Sequence, residues 1–138
     1  IPARYNQARL LREWPPDGTF DFLYLPYRFT EQRSKGYAFI NFVMPEHALD
    51  FQRQWHGRYL SDSRNYNKPL DIAAAAHTVL EQLEKLSGQI STLNARGHAP
   101  ALFRGTRQLD IVDVMYGLDL VNQQEQRNQA LSDGDYAL

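Results

Sequence analysis

The chain has 138 residues, 43% hydrophobic and 22% charged, with no Cys, which describes one domain able to bury a core of its own and excludes a disulfide framework. Fifteen Lys and Arg against sixteen Asp and Glu leave a net charge of -1, and no apolar run reaches the roughly 20 residues of a membrane span. An intracellular chain, nuclear or cytoplasmic or both, with no membrane partner is expected, and the opening Ile1-Pro2 without Met reads as a piece of something longer.

Residues 6–13 predict a short helix stopped by Pro15-Pro16-Asp17-Gly18. Residues 19–25 (TFDFLYL) predict a strand closed by Pro26, and residues 27–34 a loop holding Arg28 and Arg33. Residues 35–43 (KGYAFINFV) predict a second strand, antiparallel to the first. Pro45 suits the first turn of a helix to about Trp55, ended by Gly57, and residues 58–68 read as loop. From Asp71 two readings compete. One is a single helix with an apolar seam at Ile72, Ala76, Val79, Leu83, Leu86, Ile90 and Leu93; the other is a strand over 70–76 followed by a helix over 78–93. Residues 99–103 (APALF) predict a brief extended segment, and residues 104–138 an acidic tail, disordered from Asn122.

Charge is polarised along this order. Residues 1–70 hold ten Lys and Arg against seven acids, and residues 71–138 five against nine. A basic first half suits phosphates, although a mixed solvated surface accounts for so small a surplus equally well.

Lys35-Gly36-Tyr37-Ala38-Phe39-Ile40-Asn41-Phe42 fits the ribonucleoprotein octamer K/R-G-F/Y-G/A-F-V-x-F/Y, with Ile for Val. Strand alternation puts Lys35, Tyr37, Phe39 and Asn41 on one face and the small or apolar Gly36, Ala38, Ile40 and Phe42 on the other, against helices. Two aromatics and a cation in a row offer rings on which unstacked bases lie and an ammonium for a phosphate. A lone Tyr-x-Phe would read as core; eight matched positions favour a nucleic-acid face. If Phe20, Phe22 and Tyr24 turn to the core, Asp21, Leu23 and Leu25 join Tyr37 and Phe39, and the Asp21 carboxylate becomes an acceptor for a base edge. Arg28 and Arg33 would then hold phosphates at the sheet's edge, or be ordinary solvated loop charges.

The order helix, strand, octamer strand, helix, strand resembles an RNA recognition motif, βαββαβ, without its first strand. More narrowly, Ile1-Pro2-Ala3-Arg4-Tyr5, then Asp21-Phe22-Leu23-Tyr24-Leu25-Pro26, then Gly36-Tyr37-Ala38-Phe39-Ile40-Asn41-Phe42, with Pro100-Ala101-Leu102-Phe103 closing, resembles the C-terminal RNA recognition motif of the Mei-two-like RNA-binding family over residues 1–103. The resemblance implies an α+β, ferredoxin-like fold with its first strand missing from this chain and an extra C-terminal helix. It selects the strand-then-helix reading of residues 70–93. It also implies single-stranded RNA as partner, with Tyr37 and Phe39 at the stacking positions and Lys35 at the phosphate position, in a larger post-transcriptional regulator. Where the family carries an aromatic and an Arg in its final strand, this chain has Ala74 and Ala76.

Catalysis is not expected, nor a cofactor or metal: His47, His56, His77 and His98 lack metal spacing, and no nucleophile elbow, H-E-x-x-H or phosphate loop occurs. The alternative is a protein-binding motif, whose partner would engage the seam at Val79, Leu83, Leu86 and Ile90 or the segment 109–120, or whose own C-terminal helix would cover the sheet.

Overall fold

The computed structural model describes residues 1–62 and 68–132. The Asn6 side chain accepts from the Arg9 amide at 2.8 Å and opens α1 (Gln7–Glu13). After the double proline, Asp17 accepts from both the amide and the hydroxyl of Thr19, and Gly18 supplies a φ of 90°. β1 (Phe20–Tyr24) follows, then a small hairpin of β2 (Tyr27–Arg28) and β3 (Arg33–Ser34), then β4 (Phe39–Phe42). α2 (Pro45–Trp55) starts on its proline as the sequence predicts. The Thr78 hydroxyl caps α3 (Val79–Leu86), which continues through a 3₁₀ turn (Ser87–Gln89) into α4 (Ile90–Ala95). β5 (Ala101–Arg104) and β6 (Arg107–Leu109) form a tight hairpin about Gly105, and Asp110 caps α5 (Ile111–Ser132).

The main sheet is antiparallel in the order β4-β1-β5-β6. The α+β architecture expected from the sequence is the one observed. β4 forms an edge, as befits a sheet short of one strand, and among the described residues nothing pairs with its outer side. Residues 71–76 carry no ladder, so the strand expected over 70–76 is absent. Its run of four Ala offers no branched or aromatic side chain to pack across a strand. Its contacts are to α2 instead: the Ile72 amide donates to His56 Nδ1 at 3.0 Å, and Gln52 Nε2 to the Ile72 carbonyl at 2.9 Å.

Both faces of the sheet are covered. On one, Phe20, Leu23, Leu25, Ala101 and Phe103 pack with Tyr5, Leu10 and Trp14 of the α1 segment. Trp14 meets Phe51 and Trp55 of α2 edge-on, at 5.0 and 5.6 Å between ring centres. On the other, Phe22 and Leu102 lie under Leu83, Ile90, Leu93 and Ile111, from α3, α4 and α5. The acidic tail expected over 104–138 is thus corrected. Residues 107–109 add a strand, and 111–132 form a helix whose Ile111, Val114, Met115 and Leu118 dock on this second cluster. Residues 133–138 of that expectation lie outside the described residues.

A bulge decides the phase of β1. Phe20 pairs with Phe42, yet Phe22 pairs with Asn41, so the register slips at Asp21 and the side chains beyond it exchange faces. Phe20 and Phe22 therefore point to opposite sides. The sequence expectation that Leu23 and Leu25 share the face of Tyr37 and Phe39 is corrected: Leu23, 0% exposed, packs on the α1 side, and Phe22 and Tyr24 take the other.

Candidate nucleic-acid interface

Within the octamer the alternation holds across β4. Phe39 and Asn41 share a face with Tyr24 and Phe22, their cross-strand partners, while Ala38, Ile40 and Phe42 pack on the α1–α2 side. Tyr37 precedes the ladder and is 49% exposed, its ring edge-on to Phe39 at 5.6 Å. Phe39 is half-buried, because the α3–α5 layer covers its inner side. Lys35 is exposed, and its amide is tied to the Pro26 carbonyl at 2.9 Å, which fixes the approach to β4.

Tyr24 was not among the residues singled out from the sequence, yet it completes an aromatic row with Phe39 and Tyr37. Burial pushes its phenol up, and the neighbouring Tyr37 pushes it further. Its hydroxyl therefore stays protonated at neutral pH and remains a donor. The signal that would have found it is the cross-strand pairing with Phe39, hidden by the bulge.

The polar candidates are partly engaged with one another. Asn41 Nδ2 donates to Asp21 Oδ1 at 2.8 Å, so the bulge that turns Phe22 also brings this carboxylate to the octamer strand. Arg28 and Arg33 both reach the Glu31 carboxylate, at 3.6 and 2.6 Å. Exposed pairs of this kind are worth roughly 0–1 kcal/mol, little enough for a phosphate to displace them. Arg4 and Arg9 are tied to Asp62 beside Tyr5, which engages two of the first half's ten cations within the domain.

A second aromatic group is built on the β2–β3 hairpin. Tyr27 stacks on His98 at 4.0 Å, Phe29 meets both edge-on, and the Arg96 guanidinium lies 4.8 Å over Phe29. Burial first, then the nearby Arg96, hold the His98 imidazole below its usual 6.5. Its Nδ1 is buried with no hydrogen-bond partner among the described residues, so the charged ring would leave a buried N–H facing no acceptor. The unfolded chain then takes up that proton first as pH falls below 6.5. Stability should be complete above that value, decline below it, and level off once folded His98 also protonates. Thermal melts between pH 7.5 and 5 should show the decline, and His98→Phe should flatten it; an equal slope in both chains would refute the assignment.

The seam Val79, Leu83, Leu86 and Ile90, expected as one route to a protein partner, is used within the chain: Leu83 and Ile90 are buried against the sheet, with Val79 and Leu86 packed beside them. Of the segment 109–120, the inner side is likewise occupied. Among the described residues, no group of three His, Asp or Glu is placed to hold a metal ion, and no helix is long and apolar enough to cross a membrane.

The RNA recognition motif 2 family matches residues 1–84, which span α1, the bulged strand, the octamer strand and α2. This chain belongs to that family. Its relatives are Mei-two-like: it is 40% identical over 60 residues to protein MEI2-like 3 of Oryza sativa subsp. japonica, covering 42% of this chain and 6% of the relative. It is 40% identical over 60 residues to MEI2-like 4 of Arabidopsis thaliana, covering 42% and 7%. With MEI2-like 2 of Arabidopsis thaliana it shares 30% over 105 residues, covering 75% and 12%. The matched stretches cover 6%, 7% and 12% of these relatives, so the chain spans only a small part of their length. As an RNA recognition motif of Mei-two-like type it is an RNA-binding domain by family, with a ferredoxin-like α+β fold. The 3₁₀ turn, α4, β5, β6 and α5 all lie beyond the family match.

Proposed function

We propose that this domain binds single-stranded RNA without catalysis, as one part of a larger post-transcriptional regulator. The observation that carries the reading is the exposed Tyr37 ring, set edge-on to Phe39 with Tyr24 alongside and Lys35 two residues before it. Bases stack on Tyr37 and on the open side of Phe39, and Lys35 meets a phosphate. Asn41, released from Asp21 or acting with it, hydrogen-bonds a base edge or sugar. Arg28 and Arg33 exchange Glu31 for the backbone of the same strand. Because α3, α4 and α5 cover the inner part of this face, the RNA enters from the Tyr37 end. That cover also favours a second reading, in which the sheet is closed and its aromatics are structural.

Fluorescence anisotropy of a labelled mixed-sequence single-stranded RNA separates the two. Binding should weaken steeply between low and physiological salt as phosphate contacts are lost. Tyr37→Ala should cost about 1–3 kcal/mol of binding, the worth of one stacked base, with no change in melting temperature since the ring is outside the core. Salt-insensitive binding, or a Tyr37→Ala chain that binds as well as the parent, would leave the closed-sheet reading.

A further inference from the structure

α5 is apolar on more than its docked side. Ile111, Val114, Met115 and Leu118 pack inward, while Val112, Tyr116 and Leu120, spaced four apart, make a second stripe left in water, with Tyr116 68% exposed. A helix apolar on both sides is ordinarily enclosed on both, and contiguous exposed apolar surface marks a contact site. Beside the stripe, a groove of about 110 Å³ runs between α3 and α5. It is lined by Leu80, Met115 and Leu118 together with the polar Ser87 and Asn122 and the acidic Glu84 and Asp119, with no cation among these described residues. Between Asp110 and Arg127, α5 carries Asp113, Asp119 and Glu125 and no Lys or Arg.

We propose that this groove and the Val112–Tyr116–Leu120 stripe dock an amphipathic helix of another protein, one whose apolar anchors are flanked by Lys or Arg. Apolar anchors at one-turn spacing fill the gap between α3 and α5, and the flanking cations meet Glu84 and Asp119. A second copy fits poorly: antiparallel pairing of two stripes about Tyr116 sets Asp113 of one against Asp119 of the other. Nucleic acid fits poorly for the same reason, since the rim is acidic. The surface is separate from the Tyr37 face, so the proposal stands apart from the RNA reading.

The test uses the full chain and two labelled synthetic helical peptides, one of Leu and Lys in amphipathic spacing and one with Glu for every Lys. Anisotropy should show the Lys peptide binding at least tenfold more tightly than the Glu peptide. Tyr116→Ala should weaken it at least fivefold, and the double variant Glu84→Lys/Asp119→Lys should reverse the order of the peptides. Leu49→Asp, an equally exposed apolar site on α2, should change nothing. All four side chains changed are exposed, and circular dichroism melts check that the variants fold. Equal binding of the two peptides, no binding of either, or indifference to the charge reversal overturns the proposal. So does a concentration-dependent dimer in sedimentation that Tyr116→Ala abolishes, which would give the face to a second copy.

Discussion

Phe22→Ala is expected to lower unfolding stability by about 3–5 kcal/mol, and Leu23→Ala, its neighbour, by about 2–5 kcal/mol. In a sheet with one wet face, adjacent strand residues respond oppositely, one large and one near neutral. Here they are 1% and 0% exposed, Phe22 under the α3–α5 layer and Leu23 against α1. Urea titrations of both variants decide the matter. A Phe22→Ala effect within about 0.5 kcal/mol, the range of a surface substitution, would mean the C-terminal helices do not lie on the sheet in solution.

Gln7→Leu should be nearly as damaging, through polar groups rather than volume. Gln7 is buried at the start of α1, its Oε1 accepting from the Leu25 amide at 3.2 Å and its Nε2 donating to the Ala99 carbonyl. One amide side chain thus serves the end of β1 and the approach to β5. An apolar replacement of similar size orphans both backbone groups, at about 1–3 kcal/mol for each. Equal melting temperatures for the two chains would show that water replaces the amide and that the site is open.

Local grammar made several elements legible. Asn6 before α1, Pro45 at the start of α2 and Thr78 before α3 are side-chain or ring devices that act within one turn, so the residues that cause the structure are adjacent in the sequence. The octamer was legible because β4 keeps strict alternation from Phe39 to Phe42. β1 was not, because FDFLY looks like clean alternation while the bulge at Asp21 reverses it midway, and both resulting faces are apolar enough to be core. That misplaced Leu23 and hid Tyr24. Residues 70–76 failed for want of a neighbouring strand, a tertiary condition that propensity does not contain. For α5 the signal was present and undervalued: Asp110 precedes Ile111, Val114, Met115 and Leu118, a cap followed by one helical face. The polar run after it has the composition of a disordered tail, which masks that face.

β1 completes its hydrogen bonding only when it meets β5, with Phe22 opposite Leu102. On a ribosome adding roughly 5–20 residues per second, the intervening stretch of chain takes about 4–16 s to make. Throughout that interval the aromatic strand FDFLY can pair on one side only, which is the template that intermolecular strand addition and aggregation use. Newly made chains therefore pass through a window in which the FDFLY edge is open, whereas in the finished domain β5 closes it. A chaperone holding that edge would act before Leu102 emerges and have nothing left to hold afterwards.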